Sequence, residues 1–349
     1  MGEAIQLIQV QQYLGARGIG RFYSAPRQLV GGALWHSFDH NRGYHPDPFY
    51  GGIMDIFRQP KYTYYGFQSM RDPNLKVPNI DNGPMVFIAN EMTPFSGTDV
   101  YVFTNCEEVR LSSFGKEFKT IKVKDLGINM PHPIVKFEEA YSWSELMRSG
   151  RSQNANADKI VVEGLIGGKV VATATKSASK REIRLVLEVD TSGIPIIANG
   201  SDIVTVIAKI IDQNGNVKRM AEEEIVFEVS GEGSMIAANE PWANPRRVEF
   251  GTAACLVQSS IKTGKITVRA HTLFEGGNTA LPDIITFESV PSSVPLLFTE
   301  IGSNQSSEKS KKEIGNTEND KIRELQFERN QNKIKAVQEQ QTKFENSIK

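Results

Sequence analysis

The chain has 349 residues, of which 39% are hydrophobic and 23% are charged, and its formal net charge is -1. These values are ordinary for a globular protein of two or three domains, and the charge balance gives no reason to expect nucleic acid or an anionic membrane as a partner. No apolar run approaches the roughly 18 residues that a membrane-spanning helix needs, so we expect no membrane span.

Residues 1–76 predict a helix, a strand and a second helix. The chain begins without a basic segment, so we expect no secretory signal, and the apolar spacing over 3–20 predicts a helix that ends at glycines. Residues 29–35 predict a short apolar strand that ends in an aromatic residue and a polar cluster, as in a barrel strand whose C-terminal end faces a ligand. Pro60 suits the start of a second helix at 61–70.

Beyond residue 76 the chain consists of short β-type runs separated by Pro, Gly or Asn. The first block, 77–176, has candidate strands at Met85–Ala89, Asp99–Thr104, Glu108–Phe114, Phe118–Val123, Ile134–Glu138, Lys159–Leu165 and Val170–Ala174. The second block, 177–298, has them at Ile183–Val189, Ile203–Ile211, Glu224–Val229, Arg247–Phe250, Ala253–Ser259, Ile266–His271 and Ile284–Val290. Such runs predict two β-sandwiches, with a tight turn at 212–216 in the second.

The last segment, 299–349, is dominated by Ser, Lys, Asn, Glu and Gln. We predict a polar tail that is disordered at 302–319 and partly helical at 320–349. A weak heptad pattern in the helical part favours a surface helix, and a coiled coil remains the alternative.

The sequence gives no reason to expect a disulfide, a metal or a cofactor. Cys106 and Cys255 fall in different predicted domains, so we expect two buried free thiols. Cys/His sets with metal spacing, phosphate-binding glycine loops and nucleophile-elbow motifs are all absent from the sequence.

Two segments near the start carry the most specific pattern in the chain. They read Gly32-Ala33-Leu34-Trp35-His36-Ser37-Phe38-Asp39 and Gly52-Ile53-Met54-Asp55-Ile56-Phe57-Arg58-Gln59-Pro60-Lys61. The pair resembles the eighth barrel strand, and the segment before the last barrel helix, of glycoside hydrolase family 2, the family of β-galactosidases and β-glucuronidases. The resemblance covers about residues 3–295, with Val100–Leu111 similar to the first sandwich and Phe227–Gly233 to the second. It departs from the family at Phe114, where a turn asparagine is usual.

The resemblance implies a mainly β chain: the C-terminal part of a (β/α)8 barrel at 1–76, two immunoglobulin-like sandwiches at 77–176 and 177–298, and the tail. It implies the bacterial β-galactosidase type of activity, a retaining hydrolysis of terminal β-galactosides or related neutral β-glycosides. That reaction needs two carboxylates about 5–5.5 Å apart. In the family they are glutamates on the fourth and seventh barrel strands, which we expect upstream of this chain. We therefore assign no catalytic residue, Glu3 included, and expect the chain to be inactive alone.

The resemblance also implies five substrate-binding residues. Trp35 would form an apolar wall of the sugar site, on which a sugar's C–H face stacks. Asp39 would accept a sugar hydroxyl or hold a neighbouring loop, and His36 and His40 would donate to hydroxyls or brace the loop. Arg42 would reach an acidic or sulfated substituent or remain a surface arginine.

Other residues in or near these segments indicate the class of sugar and a structural contact that holds a loop. Family glucuronidases carry Asn-x-Lys ahead of the second segment, and residues 47–51 lack both, which favours a neutral hexose such as galactose. We expect Asp55, Arg58 and Lys61 to be structural, with an Arg58–Asp55 pair bracing the loop before the last helix.

Two other functions stay open at this stage. The chain could be a non-catalytic carbohydrate-binding or scaffolding module in which residues 1–75 are poorly folded, or a structural surface protein that self-associates through its tail. For the leading hypothesis the expected partners are a β-galactoside-like glycan and an N-terminal part of the same enzyme. The resemblance implies a periplasmic or secreted bacterial protein, although nothing in the chain itself indicates a compartment.

Overall fold

A computed structural model describes residues 2–15, 17–43, 48–78, 80–149, 159–191, 193–236, 243–274 and 279–294. The protein is mainly β, and its described helices and strands lie in one unit, Met1–Pro291. The second unit, Ser292–Lys349, is described only as far as residue 294, so the predicted tail at 299–349 lies outside the described residues. None of the described helices is both long and apolar enough to span a membrane.

Three helices form the first part of the chain: α1 Glu3–Leu14, α2 Gly20–Tyr23 and α3 Tyr62–Gln68. The predicted helices at 3–20 and 61–70 are confirmed in their central parts, but the first ends early. Gly15 follows α1 in an extended conformation, and a Cβ there would overlap the carbonyl oxygen of Gln11. Helices α1 and α3 pack together at Gly66, where any Cβ would overlap the side chain of Leu14.

The predicted strand at 29–35 is wrong. The segment has no strand pairing, and the side chains of Val30 and Trp35 are 99% and 89% exposed. After the Leu29 amide, which donates to Pro26 O at 2.9 Å, residues 30–36 make no backbone hydrogen bond to the rest of the described chain. A parallel strand depends on ladder bonds to its neighbours, and no described segment supplies them here. The assignment of 1–76 to a barrel therefore stays a prediction.

The first sandwich confirms all seven predicted strands of its block. They are β1 Val86–Ala89, β2 Val100–Thr104, β3 Glu108–Ser113, β4 Lys116–Lys122, β5 Val135–Phe137, β6 Lys159–Ile166 and β7 Lys169–Ser177. One antiparallel sheet has the order β1-β2-β5 and the other β4-β3-β6-β7. Alternate residues of both sheets face inward, so Val102, Leu111, Phe137 and Ile160 share one core. A helix that the sequence did not reveal, α4 Trp143–Ser149, follows β5.

The second sandwich confirms six of its seven predicted strands. Its strands are β8 Glu182–Asp190, β9 Ile197–Ala198, β10 Ile203–Asp212, β11 Glu224–Gly231, β12 Gly233–Met235, β13 Arg246–Arg247, β14 Thr252–Ser259, β15 Lys265–Thr272, β16 Asp283–Glu288 and β17 Val290–Pro291. Its two main sheets have the orders β12-β14-β10-β8 and β13-β11-β15-β16, and β17 pairs with β9. The strand predicted at 247–250 is wrong in its second half, because the chain turns at Phe250 and Gly251, both with positive φ.

Two local predictions in the sandwiches are confirmed. Asp212 holds the tight turn, since its Oδ1 accepts the amides of Asn214 at 2.8 Å and Asn216 at 2.9 Å. Cys106 and Cys255 are buried free thiols, and burial raises the pKa of Cys255 to about 12.

A buried carboxylate joins the helices to both sandwiches. The side chain of Glu91, just after β1, is 4% exposed and pairs with Lys176 at the end of β7. It also accepts from Arg219 Nε of the second sandwich at 3.2 Å and from Tyr62 Oη of α3 at 2.9 Å. Burial acts to raise the pKa of Glu91, but the two cations outweigh it, and the pKa lies below the usual value of a glutamate.

A second carboxylate lies against the first. Glu3 Oε2 accepts the amide of Glu91 at 3.0 Å and the hydroxyl of Ser96 at 2.5 Å. Burial raises the pKa of Glu3, and the charge of Glu91 adds to the shift. We call Glu3, Tyr62, Glu91, Lys176 and Arg219 the junction cluster. It ties α1, α3 and both sandwiches together through groups up to 216 positions apart (Glu3 to Arg219).

Candidate functional site

The predicted site lies on two loop segments, 36–42 and 49–54, that pair side by side. The amides of Ile53 and Met54 both donate to Ser37 O at 3.1 Å. A residue with a Cβ at position 52 would overlap the backbone of the other loop, so Gly52 permits this close approach. The pairing fixes the outward-facing side chains of the two loops relative to one another.

A buried ion pair, Asp39 with Lys61, holds the two loops together on their buried side. Asp39 Oδ1 lies 2.8 Å from Lys61 Nζ, and the two side chains are only 3% and 5% exposed. The same oxygen accepts the amide of Gly52 at 2.9 Å, and Lys61 Nζ also donates to Tyr50 O at 3.2 Å. Burial raises the pKa of Asp39 and lowers that of Lys61, and each charge partly offsets the shift of the other. These contacts favour the loop-holding role of Asp39 among the two that the sequence left open.

Helix α1 donates hydrogen bonds to the loop at 49–54. Gln9 Nε2 donates to Tyr50 O at 2.8 Å and to Gly52 O at 3.1 Å. Tyr13 Oη donates to Gly51 O at 2.6 Å. The carbonyl groups of this loop therefore have fixed partners, although the loop belongs to no regular strand.

Four rings form a continuous surface on the outer side of the loops, which we call the aromatic wall: Trp35, His36, His40 and Phe49. The centroids of His36 and His40 are 4.7 Å apart, and Phe49 lies 5.0 Å from His36 and 5.4 Å from His40. The indole of Trp35 meets His36 edge to face at 6.0 Å. Since these separations are typical of interacting aromatic pairs, the rings hold one another in place.

The structure brings four of the five predicted substrate-binding residues onto or beside this wall: Trp35, His36, His40 and Arg42. The guanidinium carbon of Arg42 lies 5.7 Å from the ring centre of Phe49, within range of a cation–π interaction. The fifth, Asp39, lies beneath the wall. Sequence reasoning missed Phe49, whose only signal was an aromatic pair placed directly before two glycines.

The predicted Arg58–Asp55 pair is wrong. Asp55 Oδ1 instead accepts the amides of Phe57 and Gln59, both at 2.8 Å, and so closes a tight turn. Arg58 has a φ of 66°, and its guanidinium carbon lies 5.1 Å from the ring centre of Phe38. The backbone of the turn thus provides the donors that the arginine was expected to supply.

The carboxylates nearest the start of the chain are engaged in structural contacts. Asp39 is held by Lys61, and Glu3 is held by Ser96 and the amide of Glu91. Retaining hydrolysis needs a nucleophile and an acid/base that both face the sugar. Both carboxylates are instead engaged in these structural contacts. Among the described residues no group of three His, Cys, Asp or Glu side chains could hold a metal ion.

Residues 185–273, in the second sandwich, match the model of glycoside hydrolase family 2 C-terminal domain 5. The chain is 32% identical over 270 residues to a β-galactosidase of Thermoanaerobacter pseudethanolicus, a match covering 74% of this chain and 34% of the relative. It is 24% identical over 230 residues to a β-glucuronidase of Formosa agariphila, covering 63% of this chain and 20% of the relative. The chain thus spans about a third or less of the length of these curated relatives.

The fold is similar to the solved structures of two glycosidases. A β-glucuronidase from glycoside hydrolase family 2 superposes with a TM-score of 0.59 at 21% identity, covering 84% of this chain and 28% of the other. A β-glycosidase from Bacteroides vulgatus superposes with a TM-score of 0.55 at 21% identity, covering 73% of this chain and 30% of the other. Together with the family model and the curated relatives, these likenesses identify the chain as a member of glycoside hydrolase family 2 that corresponds to the C-terminal portion of the family's proteins.

Proposed function

We propose that this chain serves as the C-terminal portion of a retaining β-glycosidase that releases galactose or a related neutral sugar, and that the aromatic wall lines its sugar site. The wall itself carries this proposal, because it gathers rings and polar side chains on a surface held by a buried ion pair. In this proposal residues 1–76 belong to the barrel, 77–176 and 177–298 form the two sandwiches, and 299–349 is a tail.

The wall suits a pyranose ring in two ways. The exposed indole of Trp35 offers an apolar face to the axial C–H groups of the sugar. The imidazoles of His36 and His40 can donate to or accept from its hydroxyls. Because the rings already touch and the loops beneath them are clamped, binding a sugar orders few side chains, which limits the entropic cost of binding.

We infer a neutral sugar rather than a glucuronide from the sequence next to the wall. The stretch at 47–51 lacks the asparagine and lysine that family glucuronidases use ahead of the second segment.

The exposed segment beside the wall supports a partner within the same enzyme. Residues 30–36 belong to no regular element, have no ladder bonds in the described chain, and expose Val30 almost completely. Unpaired backbone of this kind is a template for strand addition. We propose that it pairs with barrel strands supplied by the part of the enzyme that carries the catalytic glutamates.

The contacts of the first helices do not support a scaffold whose residues 1–75 are poorly folded. Val10 and Leu14 of α1 and Tyr62 of α3 share a buried cluster with Ala89 and Phe103 of the first sandwich. The ring of Tyr65 also stacks on Phe87 with centroids 3.9 Å apart. The helices are thus part of the same packed structure as the sandwich.

The proposal predicts that the purified chain alone hydrolyses 4-nitrophenyl β-D-galactopyranoside no faster than a mock purification does. The physical reason is that the aromatic wall would bind the sugar but carries no pair of carboxyl groups placed for retaining hydrolysis. The release of 4-nitrophenol at several protein concentrations measures this. Turnover that rises with the concentration of the chain and is lost in Trp35→Ala would mean that the catalytic groups lie within this chain after all.

A further inference from the structure

A groove on the first sandwich lies between the β3–β4 hairpin and the loop that leads into α4. Its volume is about 540 Å³, and we call it the hairpin groove. The residues that define it are Ser113, Lys116, Glu117, Phe118, Tyr141 and Trp143. Pockets of about 300–1,000 Å³ take small-molecule ligands, so the groove has room for a ligand of the size of one or two sugar units.

Two aromatic side chains of the groove are half open to solvent. Phe118 lies on the edge strand β4 and is 43% exposed, and Trp143 begins α4 and is 41% exposed. The start of α4 is fixed by a capping box, in which Glu145 Oε2 accepts the amide of Ser142 at 2.8 Å and Ser142 Oγ accepts the amide of Glu145 at 3.2 Å. The indole is therefore carried by an ordered helix start.

The lining of the groove includes a buried hydroxyl with no hydrogen-bond partner among the described residues. Ser113 is nine-tenths buried, and its Oγ has no hydrogen-bond partner among the described residues. Beside it, the ring of Phe114 meets that of Tyr141 edge to face at 6.2 Å, and Tyr141 Oη donates to Gly97 O at 2.8 Å. Buried hydroxyls are normally hydrogen-bonded, so Ser113 leaves one hydrogen-bonding group of the groove's lining unused by the described protein.

The charges around the groove narrow the class of ligand. Glu117 and Glu139 lie on its lining together with Lys116. Carboxylates next to half-exposed rings suit a molecule that combines apolar C–H faces with many hydroxyl donors, and they disfavour phosphate or an anionic sugar by like-charge repulsion. We propose that the hairpin groove binds a neutral oligosaccharide, which stacks on Phe118 and Trp143 and donates to the carboxylates.

This site is independent of the aromatic wall and of the proposed hydrolysis. Its residues all belong to the first sandwich and α4, whereas the wall lies on the loops at 36–42 and 49–54. The groove would hold a second stretch of glycan on the same protein. A glycan anchored at one surface raises the effective concentration of the remainder at the other, if both surfaces can be reached at once.

The test is an NMR titration of the full chain with β-1,4-galactotetraose, following the indole N–H signals. Trp→Phe variants at positions 35 and 143 assign the two signals. We expect the Trp143 signal to shift saturably, with a dissociation constant of about 1 mM or tighter. Isothermal titration calorimetry follows the variants that lack the Trp143 indole. Trp143→Ala and Phe118→Ala should each weaken the binding at least about tenfold, while Trp143→Phe retains most of it because a ring remains.

The control is Trp35→Ala, which alters the wall and should leave binding at the groove unchanged. Far-ultraviolet circular dichroism and the melting temperature establish that each variant is folded. A Trp143 signal that does not respond to galactotetraose, or affinity that survives in both folded groove variants, overturns the proposal. If galactotetraose binding is lost only in Trp35→Ala, the proposal that the groove binds glycan is wrong and the proposal that the wall binds sugar is supported. The two proposals can therefore fail separately.

Discussion

Replacing Glu91 by Gln is expected to reduce the free energy of unfolding by about 3–5 kcal/mol at pH 7, because the change removes the carboxylate with which two cations pair. Lys176 and Arg219 both pair with this side chain, and Tyr62 donates to it. Urea denaturation followed by tryptophan fluorescence measures the loss. Since the cluster joins three parts of the fold, we also expect the transition to broaden as the parts separate.

The pH dependence of this effect follows from the direction of the pKa shift. The folded-state pKa of Glu91 is lowered, so its contribution is complete above the unfolded pKa of about 4.3 and is lost as the pH falls through the folded pKa. The difference between wild type and Glu91→Gln should therefore shrink below about pH 4. A difference that is the same at pH 7 and pH 3.5 contradicts the ion-pair explanation.

Glu3→Gln is the matched control, since it changes a neighbouring buried carboxylate whose pKa is shifted in the opposite direction. The folded-state pKa of Glu3 is raised, so its contribution is present at low pH and is lost as the pH rises through that folded pKa. A Gln at this position keeps an oxygen that can accept from Ser96 and from the amide of Glu91. We expect it to change the stability at pH 7 by less than about 1 kcal/mol.

Lys61→Met is expected to cost about 3–5 kcal/mol, because it leaves the buried carboxylate of Asp39 without its counter-ion. The loops beneath the wall should then separate, and the signals of His36 and His40 should lose their mutual ring-current shifts. Chemical denaturation and the NMR spectrum of the His side chains measure the two effects.

The double variant Asp39→Asn/Lys61→Met tests the cause of that loss. An Asn at position 39 keeps an oxygen for the amide of Gly52 but carries no charge, so no ion remains unpaired. We expect the double variant to recover at least about 2 kcal/mol relative to Lys61→Met. A double variant as unstable as the single one would show that lost packing of the lysine stem, and not an unpaired charge, explains the result.

The sandwiches could be predicted from the sequence because the signal for them is local. In β3, for example, Val109 and Leu111 face the core and Arg110 faces outward, so the alternation is visible in the sequence alone. The segment at 29–35 shows the limit of such reasoning. It has the composition of a strand, but a strand also needs neighbours, and no described segment pairs with it.

The candidate site was predictable in part for a similar reason. Trp35, His36 and His40 follow one another closely and could be recognised by resemblance. Phe49 joins them only through the pairing of two loops, in which His40 and Phe49 exchange both backbone hydrogen bonds, at 2.9 and 3.3 Å. The junction cluster was not predictable, because its members are scattered from Glu3 to Arg219 and none belongs to a motif.

In our proposal the aromatic wall lines the sugar site of a family 2 glycosidase. The most direct test is a single-chain chimera, in which this chain replaces the aligned 270 residues of the Thermoanaerobacter β-galactosidase that it resembles. The value of kcat/KM for 4-nitrophenyl β-D-galactopyranoside is measured with and without Trp35→Ala, and Phe95→Ala controls for loss of an exposed ring elsewhere. We predict that Trp35→Ala lowers kcat/KM by about two orders of magnitude, while Phe95→Ala leaves it within about twofold. A folded, active chimera whose kcat/KM is unchanged by Trp35→Ala would contradict the account.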